Sequence, residues 1–217
     1  MTDVLDRPLC PLCGQRDASQ IRLIYDRDLK LCRCNCGMVF RVPLFGKLDV
    51  PKYHSFCSSN DDDHEAQWEA KERNRVFYDM VLSRIVATQG RDISLLEVGC
   101  GLGVFLDRAC EAGIRECTGI DPQPSAAHLC RIRGNREVVQ GYYERSSFQE
   151  SSFDAVFHDH VLEHVEFPLE LLSNNLFHLK PEGILIVNVP SIQSPEWWFQ
   201  IASQNRLCKA GPLNPQH

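Results

Sequence analysis

The seven residues Glu97-Val98-Gly99-Cys100-Gly101-Leu102-Gly103 constrain the fold more than any other stretch of the chain. They follow the apolar run Leu95–Val98 and open a helical pattern that puts Leu102, Phe105, Leu106 and Ala109 on one face. A strand that turns into a helix through glycines brings backbone N–H groups and a helix N-terminus up to a ligand. The alternation then continues. A second strand is expected at Cys117–Ile120, a helix near Ser125–Arg133, a short third strand at Val138–Val139 and a fourth at Phe153–His158. A helix over Pro168–Leu179, with Leu169, Leu172, Leu176 and Leu179 inward, leads to a fifth strand at Ile184–Val189. Strands alternating with helices predict one wound α/β domain with a parallel sheet, and no internal repeat competes with that reading.

The second strand ends in Gly119-Ile120-Asp121-Pro122, which places a carboxylate where it can accept both ribose hydroxyls of a nucleoside. A dinucleotide fingerprint would want a small residue at position 104, and that residue is Val104. An adenosine ligand without phosphates fits better, and Glu97 and Gly103 point the same way. Three further motifs follow in order: Ser152-Phe153-Asp154-Ala155-Val156, His160-Val161-Leu162-Glu163-His164-Val165 and Leu179-Lys180-Pro181-Glu182-Gly183.

Taken together, the run from Leu95 to about Val189 resembles a class I S-adenosylmethionine-dependent methyltransferase. The resemblance implies a Rossmann-like, doubly wound, mostly parallel sheet of order 3-2-1-4-5, with the last strands of the family truncated or absent. It also implies a cofactor site. Gly99 and Gly101 would flank the homocysteine part of S-adenosylmethionine, between Glu97 and Gly103, with Cys100 contributing backbone. Asp121 would hold the ribose, Pro122 would touch adenine, and His158 would offer its carbonyl to the cofactor ammonium. After the third strand the family places an acidic residue behind the glycine; here Tyr142 follows Gly141, so adenine would meet an aromatic face.

For the acceptor side, His160 and His164 lie four apart, on one face if a helix has begun there. A neutral imidazole near pH 7 can take a proton from an acceptor hydroxyl as the methyl group moves. The competing reading is that Glu163 and His164 fix the loop through hydrogen bonds to backbone.

The chain holds eleven cysteines, five of them in the first 36 residues. Cys10-Pro-Leu-Cys13-Gly14 is a knuckle in which backbone N–H groups can face thiolates, and Cys32-Arg-Cys34-Asn-Cys36-Gly37 is its irregular partner. A zinc site is expected on Cys10, Cys13 and Cys36, with either Cys32 or Cys34 completing the tetrahedron; a regular second knuckle would have its cysteine at position 33, where Arg33 stands, and Cys10, Cys13, Cys32 and Cys36 are the expected set. Some small-molecule methyltransferases carry a similar zinc-ribbon segment ahead of this domain. A segment this short has little apolar core and needs such a staple.

These features divide the chain into a zinc-ribbon-like module (1–47), a linker with a packing helix (48–90) and a cofactor-binding domain (91–217). The linker reads Val42-Pro43-Leu44-Phe45-Gly46 and Val50-Pro51; Asp61-Asp62-Asp63 caps a helix running to about Thr88 through Phe77, Tyr78, Val81, Leu82 and Ile85. The C-terminal run Trp197-Trp198-Phe199 either lines the acceptor pocket or covers the sheet, whose fifth strand is expected to be an edge. Net charge is −6 for 217 residues, no apolar run reaches the length of a membrane span, and the N-terminus has no secretory pattern. A cytoplasmic protein without nucleic-acid or membrane partners is therefore expected. The N-terminal module is formally +3, but four thiolates and one Zn²⁺ bring it to about +1, a poor clamp for a phosphate backbone. The function expected is methyl transfer to O or C of a small metabolite such as a sugar, a quinone or a natural-product intermediate. Its rivals are methylation of RNA held by the zinc module and a truncated, non-catalytic cofactor-binding scaffold. Oligomeric state is left open.

Overall fold

The computed structural model describes residues 9–17, 19–26, 30–42, 69, 72, 74–124, 128, 137–165 and 167–191. Of these, 9–42, 163–170 and 190–191 belong to one compact unit, and 69–162 and 171–189 to another. The expected acidic cap at Asp61-Asp62-Asp63, the linker beyond Val42, the helix near Ser125–Arg133 apart from His128, and the Trp197-Trp198-Phe199 run lie outside the described residues.

The first unit contains a three-stranded antiparallel meander: β1 (Ile21–Asp26), β2 (Lys30–Cys34) and β3 (Val39–Val42). Its side chains alternate with the pleat. Cys32 and Cys34 point inward beside Ile21 and Phe40, and Arg33 between them is exposed. Cys10 joins that small core, which forms a cluster of its own.

The second unit is the α/β domain. Helix α1 (Arg75–Gln89) precedes β4 (Ser94–Val98), α2 (Val104–Glu111), β5 (Glu116–Asp121), β6 (Glu137–Gln140), β7 (Phe153–Asp159), α3 (Pro168–His178, whose first three residues fall in the first unit) and β8 (Leu179–Asn188). The five strands form one parallel sheet in the order β6-β5-β4-β7-β8. These labels differ from the expected 3-2-1-4-5 because three strands of the N-terminal meander are counted first. Strand β4 is buried on both faces, as a central parallel strand requires. On one face, Tyr78, Val81, Leu82 and Ile85 of α1 and Val104, Phe105 and Ala109 of α2 pack against Leu95, Ala155 and Phe157. Phe105 and Phe157 meet at 4.1 Å between ring centroids, and Tyr78 stands edge-on to Phe105 at 5.4 Å. The other face holds Leu96, Val98, Ile120, Val156 and Leu179.

Two expectations need correction. Helix α3 does not turn its leucine row inward: Leu169 and Leu176 are 48% and 69% exposed, and its buried residues are Leu171, Asn174, Asn175 and His178. Two of these polar side chains, Asn175 and His178, meet partners inside. His158 Nε2 lies 3.1 Å from Asn175 Oδ1, and His178 bonds Tyr143 Oη at 2.7 Å and the Arg145 carbonyl at 3.1 Å. The fifth strand also begins earlier, at Leu179, and Pro181-Glu182-Gly183 bulges from its pairing with β7. Beside that bulge, Asp154 Oδ2 accepts from Lys180 Nζ and from the Ser94 N–H, both at 2.8 Å. The aspartate of the Phe-Asp-Ala-Val motif is therefore a staple at the amino end of the sheet, away from the ligand-binding edge. Among the described residues, no helix is long and apolar enough to cross a membrane.

Candidate functional site

The carboxyl ends of β4 and β5 carry the glycine turn. Gly99, Gly101 and Gly103 all adopt left-handed conformations, with φ of 71°, 51° and 78°, and Gly103 is the N-cap of α2. A β-carbon would strain each of them, and at Gly99 it would also collide with the Val161 side chain. The turn is stitched to β5 by backbone bonds from the Gly99 and Cys100 N–H groups to the Ile120 carbonyl. Asp121 completes the join: its Oδ2 accepts the Gly101 N–H and its Oδ1 the Gln123 N–H, each at 2.8 Å. Gly119 supplies the remaining close approach, because a β-carbon there would lie 2.7 Å from Cys100 Sγ and 2.8 Å from Leu106 Cδ1. Cys100 is fully buried over that gap and acts as packing. Val104 is likewise buried, in the core between α2 and the sheet.

The other expected cofactor residues fall around this turn or beneath it. Pro122 is half-buried beside Asp121. The Gly141 N–H donates to the Asp121 carbonyl at 3.0 Å, which docks the loop after β6 there and leaves Tyr142 54% exposed. Glu97 is buried in the core, and the Tyr78 phenol is pushed up by burial first, then by the neighbouring Asp159 and, less, by Glu97. His158 is buried at the end of β7, and burial pushes its imidazole down to about 4 against the opposing pull of the Asn175 bond.

His160 sits just past β7 in a left-handed conformation, φ 57°, with its N–H donating to the Asn188 carbonyl at 3.0 Å. His164 ends a three-residue 3-10 helix, Leu162–His164. The condition for a shared face, a helix already begun at His160, is not met: His160 precedes that helix and has a positive φ. Sequence reasoning missed Tyr78, Asp159 and Asn188. The Tyr78 hydroxyl donates to Asp159 Oδ2 at 2.7 Å, and Asn188 Nδ2 donates to Asp159 Oδ1 at 2.8 Å. The available signal was Asp159 itself, an acidic residue at the carboxyl end of a strand.

In the N-terminal unit, the sulfurs of Cys10, Cys13, Cys34 and Cys36 lie within 4.8 Å of one another. Cys32 therefore does not belong to the cluster and Cys34 does. Both face inward, but one strand step of two residues, about 6.6 Å, separates them, and only Cys34 reaches the turn that carries Cys36. The 3.7 Å from Cys10 to Cys36 and 3.6 Å from Cys13 to Cys34 match the roughly 3.8 Å sulfur spacing of a tetrahedral Zn–S₄ site. Backbone N–H groups of Gln15, Cys36 and Met38 point at Cys13, Cys34 and Cys36 respectively. The Met38 N–H and the neighbouring sulfurs bring Cys36 down to about 7. Cys13, despite the Gln15 N–H that favours its thiolate, is raised to about 12 by burial and by its sulfur neighbours. Four thiols this close ionise together only beside a cation.

Residues 96–187 match a family described as a methyltransferase domain. Among curated proteins, the chain is 28% identical over 150 residues to a ubiquinone biosynthesis O-methyltransferase of Xanthomonas campestris pv. campestris, covering 66% of this chain and 61% of that protein. It is 30% identical over 142 residues to a tRNA U34 carboxymethyltransferase of Cronobacter sakazakii, covering 62% of this chain and 42% of that one. The chain thus spans about three fifths or less of the length of these relatives. Among solved structures, S-adenosylmethionine-bound CalS10, an amino pentose methyltransferase from Micromonospora echinaspora, shares the fold with a TM-score of 0.50 and 24% identity, over 59% of this chain and 57% of that one. Residues 96–187 thus match a methyltransferase-domain family, and the chain shares its fold with S-adenosylmethionine-bound CalS10.

Proposed function

We propose that this protein transfers a methyl group from S-adenosylmethionine to oxygen or carbon of a small metabolite, and that its N-terminal cysteines hold a structural zinc ion. The observation that carries the reading is the bond from the Gly101 N–H to Asp121 Oδ2, which joins a left-handed glycine turn to an acidic strand end. That junction suits a nucleoside whose ribose reaches Asp121 while its amino-acid arm runs along the turn. When bound, S-adenosylmethionine supplies an electrophilic methyl group on a sulfonium. The residues of the chain bind, orient and exclude water. Gly99, Cys100, Gly101 and Gly103 form the turn behind the strand residue Glu97, Asp121 takes the ribose, Pro122 and Tyr142 meet adenine, and the His158 carbonyl takes the ammonium. His160, as neutral imidazole, accepts the proton of an acceptor hydroxyl; His164 is the alternative base. In-line approach needs positioning more than acid-base strength, so the scaffold does most of the work.

The test is calorimetric. Asp121→Ala should weaken S-adenosylmethionine binding by about 1.5–3 kcal/mol, the worth of hydrogen bonds to a charged group. Wild-type affinity in that variant would remove the ribose assignment. Zinc is tested by elemental analysis: Cys10, Cys13, Cys34 and Cys36 make a closed four-thiolate site, which holds about one ion per chain, and freshly purified protein without metal would defeat the assignment.

A second reading is favoured by the similarity to tRNA U34 carboxymethyltransferases: the acceptor is RNA. It requires retention on RNA that weakens steeply with salt, and its absence leaves the small-molecule reading.

A further inference from the structure

We infer that Asn188 is a positioning residue which, with Asp159 and Tyr78, holds the backbone at His160 in the conformation that aims its imidazole at the acceptor. The inference rests on the reading of His160 as base.

Asp159 and Asn188 are paired neighbours at the carboxyl ends of β7 and β8, so His160 is the first residue beyond the ladder. Its N–H makes one more ladder-like bond, to the Asn188 carbonyl. A histidine with positive φ is uncommon and persists only where its surroundings hold it. The surroundings here form one connected set. Asp159 is 4% exposed, and a buried carboxylate must be satisfied by donors. The Tyr78 hydroxyl meets one oxygen and the Asn188 carboxamide the other. Fixing that carboxamide fixes the residue whose carbonyl receives His160. Tyr78 lies on α1, 81 residues earlier in the chain, and its ring is locked by Phe105 and Phe157. The helix ahead of the sheet thus reaches the candidate base through two side chains, neither of which needs to touch a substrate. Tyr78→Phe removes one O–H and leaves the ring in place.

A double-mutant cycle on full-length protein, with S-adenosylmethionine and catechol as the hydroxyl probe, separates positioning from bulk stability. Tyr78→Phe and Asn188→Ala should each lower kcat about tenfold with KM for S-adenosylmethionine unchanged. In a His160→Ala background, Tyr78→Phe should change kcat less than twofold. Equal losses in both backgrounds, or none in the wild type, would overturn the inference while leaving His160 as base. Full turnover in His160→Ala would instead overturn the reading beneath it, and the inference with it. An arm that needs no acceptor follows amide exchange: the His160 N–H should exchange about tenfold faster in Tyr78→Phe while the amides of β4 and β5 keep their rates. Unchanged exchange at His160 would also overturn it.

Discussion

His158 carries a cost that appears only as acid is added. Its imidazole is buried and titrates near 4 in the folded protein, against an ordinary value of 6.5. Above pH 6.5 both folded and unfolded chains keep it neutral, and its environment exacts no penalty. Between 6.5 and 4 the unfolded chain binds a proton that the folded one refuses, so stability falls with pH. The loss over that window is roughly 3 kcal/mol. Urea midpoints measured from pH 7 to pH 4.5 should fall more steeply for wild type than for His158→Gln; parallel curves would show that another group governs the acid limb. This residue was legible in sequence as a strand end near the cofactor, since it closes the run Phe153–His158. Its buried partner Asn175 was not, because sequence shows a leucine-rich helix and cannot reveal that Leu169 and Leu176 face solvent while the amides turn in.

Among the elements, the antiparallel meander holds an unfavourable arrangement. Arg22 and Arg33 stand directly opposite each other on β1 and β2, both exposed. Like charges at opposed positions weaken a strand pair. Arg33→Thr should therefore raise the stability of the N-terminal unit by about 0.2–1 kcal/mol, read from the midpoint of its denaturant transition. A fall would mean that Arg33 gains more from its surroundings than it loses to Arg22. The same strand explains why the metal ligands could be narrowed but not chosen. Cys32 and Cys34 share one face by the period of two, so alternation cannot rank them, and only the turn to Cys36 separates the ligand from the core residue. The glycine turn and the alternating strands were legible because their signals are local. The bond between Tyr78 and Asp159 was not, since nothing near either residue announces a partner 81 positions away.

For the molecule as a whole, the cysteine-lined core and the cores of the α/β domain are separate clusters. Cys10→Ser, or a strong zinc chelator, should unfold residues 9–42 and leave S-adenosylmethionine affinity within about twofold, since a structural zinc site contributes the folding energy of its own module. Joint loss of both would show a single cooperative unit. Another coupling concerns heredity rather than folding. Cys100 and Gly119 share a space that admits one side chain, so they behave as a single mutational unit although 18 codons lie between them. Gly119→Ala should be damaging alone and tolerated after Cys100→Gly, leaving only the flexible end of Leu106 to yield. A lineage can thus reach alanine at 119 by one order of steps and not the other, and a suppressor screen on Gly119→Ala should return changes at position 100.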